Sequence, residues 1–194
     1  MLVRGQNVEC RRGGRLLFSG LDFSLEAGES LLLRGPNGIG KSSLLRLIAG
    51  LIPGNNDAIQ HGGETMALAD ENLALDPDRT LYDALAFWAH LDGRGMDDIA
   101  AGLAHYDLSA LAGVPVRILS TGQRKRAILA RTMASGASLW LLDEPGNGLD
   151  SASLERLGAA MNAHIANGGA IIAASHFALP HDFTWVIDLS KAAA

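Results

Sequence analysis

One eight-residue segment limits the possible folds of this chain more than any other. Residues 35–42 read GPNGIGKS, which places glycine, glycine, lysine and serine at every fixed position of the pattern GxxxxGK[ST]. The apolar run Leu31–Leu33 ends just before it. After it, apolar residues recur with the spacing of one helix face: Leu44, Leu47, Ile48 and Leu51. The sequence therefore predicts a buried strand, a glycine-rich turn and a helix over 41–52 that is closed by Pro53 and Gly54.

A strand–turn–helix unit of this composition is suited to binding phosphate. Glycines let successive backbone N–H groups point inward at the start of the helix, where the helix dipole also favours anions. In this pattern Lys41 reaches the β- and γ-phosphates, and the hydroxyl of Ser42 can ligate Mg²⁺. Dinucleotide binding is disfavoured, because the GxGxxG spacing is not met and lysine follows the last glycine. The predicted triphosphate site comprises Gly35, Pro36, Asn37, Gly38, Ile39, Gly40, Lys41, Ser42 and Ser43, with Ser43 at the α-phosphate.

Two adjacent acids end a second apolar run. Leu139–Leu142 is followed by Asp143 and Glu144, at the strand end where α/β proteins bind ligands. Because side chains alternate along a strand, the two acids are expected to point in different directions and to have different roles. We expect Asp143 to act through water on a Mg²⁺ held by Ser42, and Glu144 to orient and polarise the attacking water.

The rest of the chain indicates an α/β fold with a largely parallel central sheet. Ala170–Ala174 has the composition of another buried strand, whereas residues 80–134 contain helical patterns and no convincing strand. The length of 194 residues suits one domain. With 16 basic and 21 acidic residues, the formal charge of −5 argues against a nucleic-acid partner. The single Cys10 excludes an internal disulfide, and no window approaches the ~20 apolar residues of a membrane span.

A third motif connects these features to a known family. Residues 119–123 read LSTGQ, precede a basic helical turn, and lie before Asp143 by the interval that separates the LSGGQ signature from the acidic strand end in ABC transporter ATP-binding subunits. The chain resembles these proteins over nearly its whole length. The resemblance implies a P-loop NTPase (RecA-like) fold of the ABC type, with a mostly parallel sheet core, an inserted α-helical subdomain and an N-terminal antiparallel β part. It implies one ATPase domain over 1–194, with its α/β core in 1–78 and 137–194 and its helical signature subdomain in 79–136.

The resemblance also implies roles for further residues. In this family the signature covers a nucleotide bound by a second copy of the chain, so two chains enclose two ATP molecules. The corresponding residues here are Ser120, Thr121, Gly122 and Gln123. Asp150 occupies the D-loop position, and His176 matches a switch histidine that contacts the γ-phosphate and aligns Glu144 with water. The implied cofactors are ATP and Mg²⁺, with Lys41, Glu144 and His176 as the catalytic residues.

Three positions depart from the family pattern. The adenine-stacking aromatic residue expected in the first hairpin is absent from residues 7–12, where an arginine plane or Cys10 could replace it. Asn72 occupies the position of the Q-loop glutamine, with a side chain one methylene shorter. Thr121 replaces the central glycine of the signature.

Short matches, including Cys10, residues 17–21 and residues 44–51, are similar to one subgroup, the ATP-binding subunits of the bacterial cytochrome c biogenesis haem exporter. This implies integral-membrane permease partners, a peripheral location on the cytoplasmic face of the inner membrane, and only indirect contact with haem or a haem chaperone. The helical block, with Tyr82, Phe87 and Trp88, is the candidate permease-docking surface. Two alternatives remain: an ATP-driven remodeller that releases a haem-loaded chaperone, and a transporter subunit for a different small molecule. A DNA-repair or translation ATPase is disfavoured, because the chain has neither a second cassette nor a coiled-coil insertion.

Overall fold

The computed structural model describes residues 1–54, 58–71 and 74–192. The strands of this part of the chain are β1 (Val3–Arg12), β2 (Arg15–Leu25), β3 (Ser30–Arg34), β4 (Ile59–His61), β5 (Met66–Ala69), β6 (Leu139–Asp143), β7 (Ala170–Ala174) and β8 (Trp185–Asp188). Its helices are α1 (Lys41–Ile48), α2 (Leu81–Leu91), α3 (Met96–His105), α4 (Thr121–Ala134) and α5 (Ser151–Ala166). Short 3₁₀ turns lie at Ser109–Leu111, Val116–Ile118 and Leu189–Lys191.

A five-stranded parallel sheet forms the centre of the molecule, in the order β5-β6-β7-β3-β8. Its middle strands are buried on both faces, which explains their continuous apolar runs. Alternate residues enter different hydrophobic clusters: Leu31, Leu33 and Leu141 pack on the side of α1, and Leu32, Trp140 and Leu142 on the side of the helical block. The predicted parallel α/β core is confirmed.

A second, antiparallel sheet, in the order β2-β1-β4, covers the α1 side of the core. Gly13 and Gly14 connect β1 to β2 with φ of +57° and +79°, the conformation that a two-residue hairpin turn requires. The apolar face of this sheet joins the cluster that contains α1. This sheet is the antiparallel N-terminal part that the family resemblance implies.

The helical block occupies the middle of the chain. Between residues 80 and 134, all of which are described, the structure contains helices, 3₁₀ turns and one isolated bridge from Thr80 to Pro115, and no strand. Its buried residues share one cluster with the central sheet, so the block packs on the core rather than forming a core of its own. The division at 79 and 136 remains a prediction.

The helix after the phosphate loop is shorter than the sequence pattern predicts. It ends at Ile48, not at residue 52, because Gly50 adopts φ of +71° and reverses the chain. The N–H of Leu51 then bonds to the carbonyl of Arg46 and that of Gly50 to Leu47, the paired bonds of a Schellman C-cap. Leu51 is consequently 63% exposed and does not belong to the buried helix face.

Across the described residues, no helix combines the length and the apolar character that crossing a bilayer requires.

Candidate functional site: a phosphate loop facing a carboxylate pair

The phosphate loop connects β3 to α1 and is held against the N-terminal hairpin. Gly40 has φ of +117°, and a Cβ at this position would lie 3.0 Å from the ring of Phe18. Glycine is therefore required here both by the backbone conformation and by the close approach of the hairpin. Lys41 begins α1, and its buried ammonium donates to the carbonyls of Gly35 at 2.8 Å and Pro36 at 3.4 Å. The lysine thus lies along the inner edge of the loop.

Ser42 and Asp143 meet although they lie far apart in the sequence. The Ser42 hydroxyl donates to Asp143 Oδ1 at 2.9 Å. Burial raises the pKa of Asp143 above its usual value, and the hydrogen bond from Ser42 partly opposes this shift. A hydroxyl and a carboxylate at this separation are hard oxygen donors of the kind that Mg²⁺ prefers, so the pair fits the predicted ion.

Glu144 and His176 form the second pair. His176 Nδ1 lies 2.9 Å from Glu144 Oε2, and the other carboxylate oxygen lies 3.9 Å from Lys41 Nζ. The structure therefore brings together the glutamate, the histidine and the lysine that the sequence proposes as catalytic residues.

The expected alternation of the two acids is wrong in one respect. Strand β6 ends at Asp143, and Glu144 adopts a left-handed backbone with φ of +47°, so strand periodicity does not set its direction. Both acids line the same cavity beside Ser42. Their partners nevertheless differ, because Asp143 bonds to Ser42 and Glu144 to His176. A left-handed non-glycine residue is strained, and such strain is concentrated at functional sites.

Two cavities adjoin the phosphate loop. One of about 380 Å³ lies between the loop and the hairpin; its described lining is Arg12, Leu17, Asn37, Gly38, Gly40, Lys41, Ser42, Ser43 and Glu144. The other, of about 430 Å³, lies towards α4; its described lining is Ser42, Glu71, Thr121, Arg124, Lys125, Ile128, Asp143, Glu144, Asn147 and Gly148. Glu144 and Ser42 line both, so the carboxylate and the serine stand at their junction.

The sequence motifs do not predict a role for Lys125. Its ammonium lies 3.4 Å from the main-chain carbonyl of Asp143, and it joins α4 to the end of β6. Burial lowers the pKa of Lys125, and the charges of Asp143 and Glu144 oppose that shift. The only signal for Lys125 in the sequence is the basic turn after LSTGQ. That turn contains three cations, and the sequence does not indicate which of them lies near the carboxylates.

Ser120 caps α4. Its hydroxyl accepts from the N–H of Gln123 at 3.2 Å, and the Gln123 side chain accepts from the N–H of Ser120 at 2.8 Å. Among the described residues that line the two cavities, Thr121 is present, whereas Ser120, Gly122 and Gln123 are not. The signature residues therefore lie at the start of a helix beside the site, and their predicted contact with a second copy remains a prediction.

Of two further predicted site residues, the structure describes Asp150 but not Asn72. Asp150 caps α5, and its carboxylate accepts from the N–H of Ser153 at 2.7 Å. This hydrogen bonding lowers the pKa of Asp150. Its D-loop role stays a prediction. Asn72 lies outside the described residues.

Cys10 is not suited to contacting a base. Its side chain has no exposed surface and packs in the cluster beneath the hairpin. The suggestion that Cys10 replaces the missing aromatic residue is therefore wrong, and of the two suggested substitutes only an arginine remains.

The candidate docking surface exposes fewer aromatic side chains than the sequence predicts. Phe87 is 50% exposed, but Tyr82 and Trp88 pack against the buried cluster. The indole of Trp88 donates to the carbonyl of Ala74, and the guanidinium of Arg131 lies 4.0 Å from its ring centre. Of the three aromatic side chains, Phe87 is the most exposed, whereas Tyr82 and Trp88 are partly buried.

The chain matches known proteins over most of its length. Residues 18–147 match the family model described as ABC transporter. A protein from Sphingopyxis alaskensis named cytochrome c biogenesis ATP-binding export protein CcmA is 49% identical over 180 residues, which cover 92% of each chain. A protein of the same name from Novosphingobium aromaticivorans is 52% identical over 170 residues, covering 88% of this chain and 86% of its own.

The chain belongs to the ABC transporter ATP-binding family. Within it, these relatives place the chain in the cytochrome c biogenesis group, as the short sequence matches predict. It is therefore an ATP-binding subunit with ATP-hydrolysing activity of the ABC type.

Solved structures agree with the fold. An ABC transporter ATP-binding protein from Pyrococcus furiosus superposes with a TM-score of 0.85 at 21% identity, and all of both chains is covered. The ATP-binding subunit of another ABC transporter gives a TM-score of 0.84 at 22% identity, covering 91% of this chain and 80% of its own. At these identities the likeness concerns the fold alone.

Proposed function

We propose that this chain hydrolyses ATP at the junction of the two cavities, with Glu144 as the residue that activates water. The observation that carries the proposal is the contact between Glu144 and His176, next to Lys41 and Ser42. The carboxylate accepts a hydrogen bond from the attacking water and orients it towards the γ-phosphorus. His176 holds the carboxylate in place through Nδ1, and Nε2–H of the protonated ring would donate to the γ-phosphate.

Lys41, Ser42 and Asp143 bind the rest of the triphosphate tail. Lys41 neutralises β- and γ-phosphate charge, and the backbone N–H groups of residues 35–43 surround the phosphates. Ser42 and, through water, Asp143 would hold Mg²⁺, which supplies charge neutralisation between the β- and γ-phosphates. Asn72 is the proposed Q-loop residue.

The proposed working unit contains two copies. Ser120 and Gly122 of one copy would contact the γ-phosphate bound by the other, and Asp150 would lie near the shared interface. Because this contact exists only in the closed dimer, ATP favours closure and hydrolysis removes the bridge.

The relatives' name supplies the biological setting of the proposal. We infer that two copies bind integral-membrane permease subunits on the cytoplasmic face of the bacterial inner membrane, with Phe87 in the docking surface. ATP hydrolysis would drive haem export, or release of a haem-loaded chaperone, during cytochrome c biogenesis. Haem would be handled by the partner subunits. Export of a different small molecule is the alternative, and the absorbance spectrum of the purified membrane complex distinguishes the two.

Glu144→Gln tests the catalytic assignment. The amide keeps the size of the side chain but cannot orient water as a carboxylate does, so we expect steady-state hydrolysis to fall by about 100-fold or more while ATP still binds. ATP should then hold the variant as a dimer, which size-exclusion chromatography with ATP and Mg²⁺ detects.

Lys41→Ala is the matched control, and it should neither bind ATP nor dimerise. Unchanged hydrolysis in Glu144→Gln would contradict the role of Glu144. A variant that binds ATP but stays monomeric would contradict the shared site and leave the hydrolytic assignment intact.

A further inference from the structure

The cavity between the phosphate loop and the β1–β2 hairpin has a wall that the triphosphate does not use. Its floor is the phosphate loop and the start of α1, including Ser43 at the proposed α-phosphate position. Its other wall is formed by Arg12 and Leu17 from the hairpin. Given the proposed function, ribose and base continue from the α-phosphate into the remaining space. The hairpin side chains are thus placed to contact the base.

A β-bulge aims Leu17 at this cavity. Cys10 pairs with Phe18, but Arg11 pairs with Leu16, so the register slips by one residue at Leu17. Successive side chains of a regular strand point to opposite faces, yet Leu17 and Phe18 both approach the Gly40 position, at 3.4 Å and 3.0 Å from a Cβ built there. Phe18 is fully buried, so Leu17 presents the apolar surface that a ligand can touch.

Arg12 is available for a ligand. It is exposed, and within the described part of the chain it forms no hydrogen bond or ion pair, whereas the neighbouring Arg11 pairs with Glu9 at 2.5 Å. The Arg12 side chain lines the cavity together with Leu17 and the start of α1. No aromatic side chain is present among the described residues that line this cavity.

We propose that Arg12 stacks its guanidinium plane on the nucleobase of the bound nucleotide, with Leu17 in apolar contact with the same ring. A guanidinium is planar, permanently charged and weakly hydrated, so it stacks on aromatic rings more readily than an ammonium does. Every base has a π-face, so the contact adds affinity without strong discrimination among bases. The inference rests on the proposed function, since it requires the phosphates to occupy the loop.

Calorimetric titration with ATP and with inorganic tripolyphosphate, both with Mg²⁺, separates a base contact from a phosphate contact. In Arg12→Ala we expect ATP affinity to fall about 3- to 30-fold, the range of a cation–π contact. Tripolyphosphate affinity should stay within about twofold, because it has no base. Arg12→Tyr should retain most of the ATP affinity, since an aromatic plane stacks without a charge.

Arg11→Ala is the control, because it removes an exposed cation of the same strand that does not line the cavity, and it should leave both affinities unchanged. Equal losses for ATP and tripolyphosphate in Arg12→Ala would show that Arg12 binds phosphate and would overturn the inference. Unchanged ATP affinity in that variant would also overturn it, as would an Arg12→Tyr variant as weak as Arg12→Ala. If the parent protein bound neither ATP nor tripolyphosphate, the proposed function itself would fail.

Discussion

Individual residues at this site act in pairs. Ser42 bonds to Asp143 and Glu144 to His176, while Lys41 lies beside Glu144 and bonds to the loop carbonyls. The left-handed backbone of Glu144 lets two adjacent acids share one cavity while keeping separate partners. Different roles for the two carboxylates therefore follow from their partners and not from strand alternation.

The Glu144–His176 contact predicts the effect of removing the imidazole. His176→Ala should lower kcat by about 100-fold, because Glu144 loses the group that orients it, while ATP affinity should fall far less, because Lys41 and the loop N–H groups still bind the phosphates. Steady-state kinetics and ATP titration measure the two quantities. His90→Ala removes an exposed histidine on α2 and serves as the control. A rise in KM with kcat unchanged would mean that His176 contributes to binding only.

At the scale of elements, the start of a helix positions one residue from each of three motifs. Lys41 opens α1 at the phosphate loop, Ser120 caps α4, and Asp150 caps α5. Lys125 then connects α4 to the end of β6 at the carbonyl of Asp143. The motif residues thus stabilise the fold in addition to their proposed contacts with nucleotide. The stability of each variant must therefore be measured together with its activity.

The capping box of α4 gives a stability prediction. Ser120→Ala should lower the free energy of unfolding by about 1 kcal/mol, because the N–H of Gln123 loses its acceptor. Ser120→Thr keeps a capping hydroxyl and should recover most of this loss. Urea unfolding measures both. The control is Ser151→Ala, an exposed serine in α5, where Asp150 is the cap. A Ser120→Ala variant as stable as the parent would contradict a structural role for the cap.

Across the whole molecule, a partly buried histidine joins distant parts of the chain. His181 Nδ1 lies 2.6 Å from Asn162 Oδ1 on α5, and its Nε2 lies 2.9 Å from the hydroxyl of Ser30 on β3. The same hydroxyl accepts from the N–H of Thr184. A neutral imidazole satisfies both contacts, with Nδ1–H as donor and Nε2 as acceptor. Burial lowers the pKa of His181, partly opposed by Asp182, and burial also lowers the pKa of His164.

These shifts predict how stability depends on pH. In the unfolded chain histidine titrates near pH ~6.5, whereas in the folded state these two rings protonate at lower pH. Between the folded and unfolded pKa values the unfolded chain binds more protons, so the free energy of unfolding should decrease as pH falls below ~6.5. Above that pH both rings are neutral in the folded and the unfolded state, so their protonation no longer lowers the free energy of unfolding. Urea unfolding at several pH values between ~7.5 and ~5.5 tests this, and His181→Gln should reduce the pH dependence. A parent protein equally stable across the range would contradict it.

Short stretches of sequence are enough to predict the local units. The phosphate loop, the strand ending in Asp143 and Glu144, the capped signature helix and the strand before His176 each depend on residues close together in the chain. Short-range patterns also predicted the parallel sheet and the helical block, because strands buried on both faces and amphipathic helices have different apolar periods. The predicted end of α1 is wrong for a reason that is also local. The apolar spacing continues to Leu51, but the left-handed backbone of Gly50 ends the helix first.

The packing of the whole chain sets which of these units meet and which side chains remain available. The 2.9 Å contact between Ser42 and Asp143, the approach of Lys125 to β6, and the burial of Cys10 depend on the packing of segments far apart in the sequence. The placement of Arg12 and Leu17 over the phosphate loop depends on a one-residue bulge. This difference arises because periodicity specifies which face of an element is apolar, whereas packing and backbone register specify what that face touches.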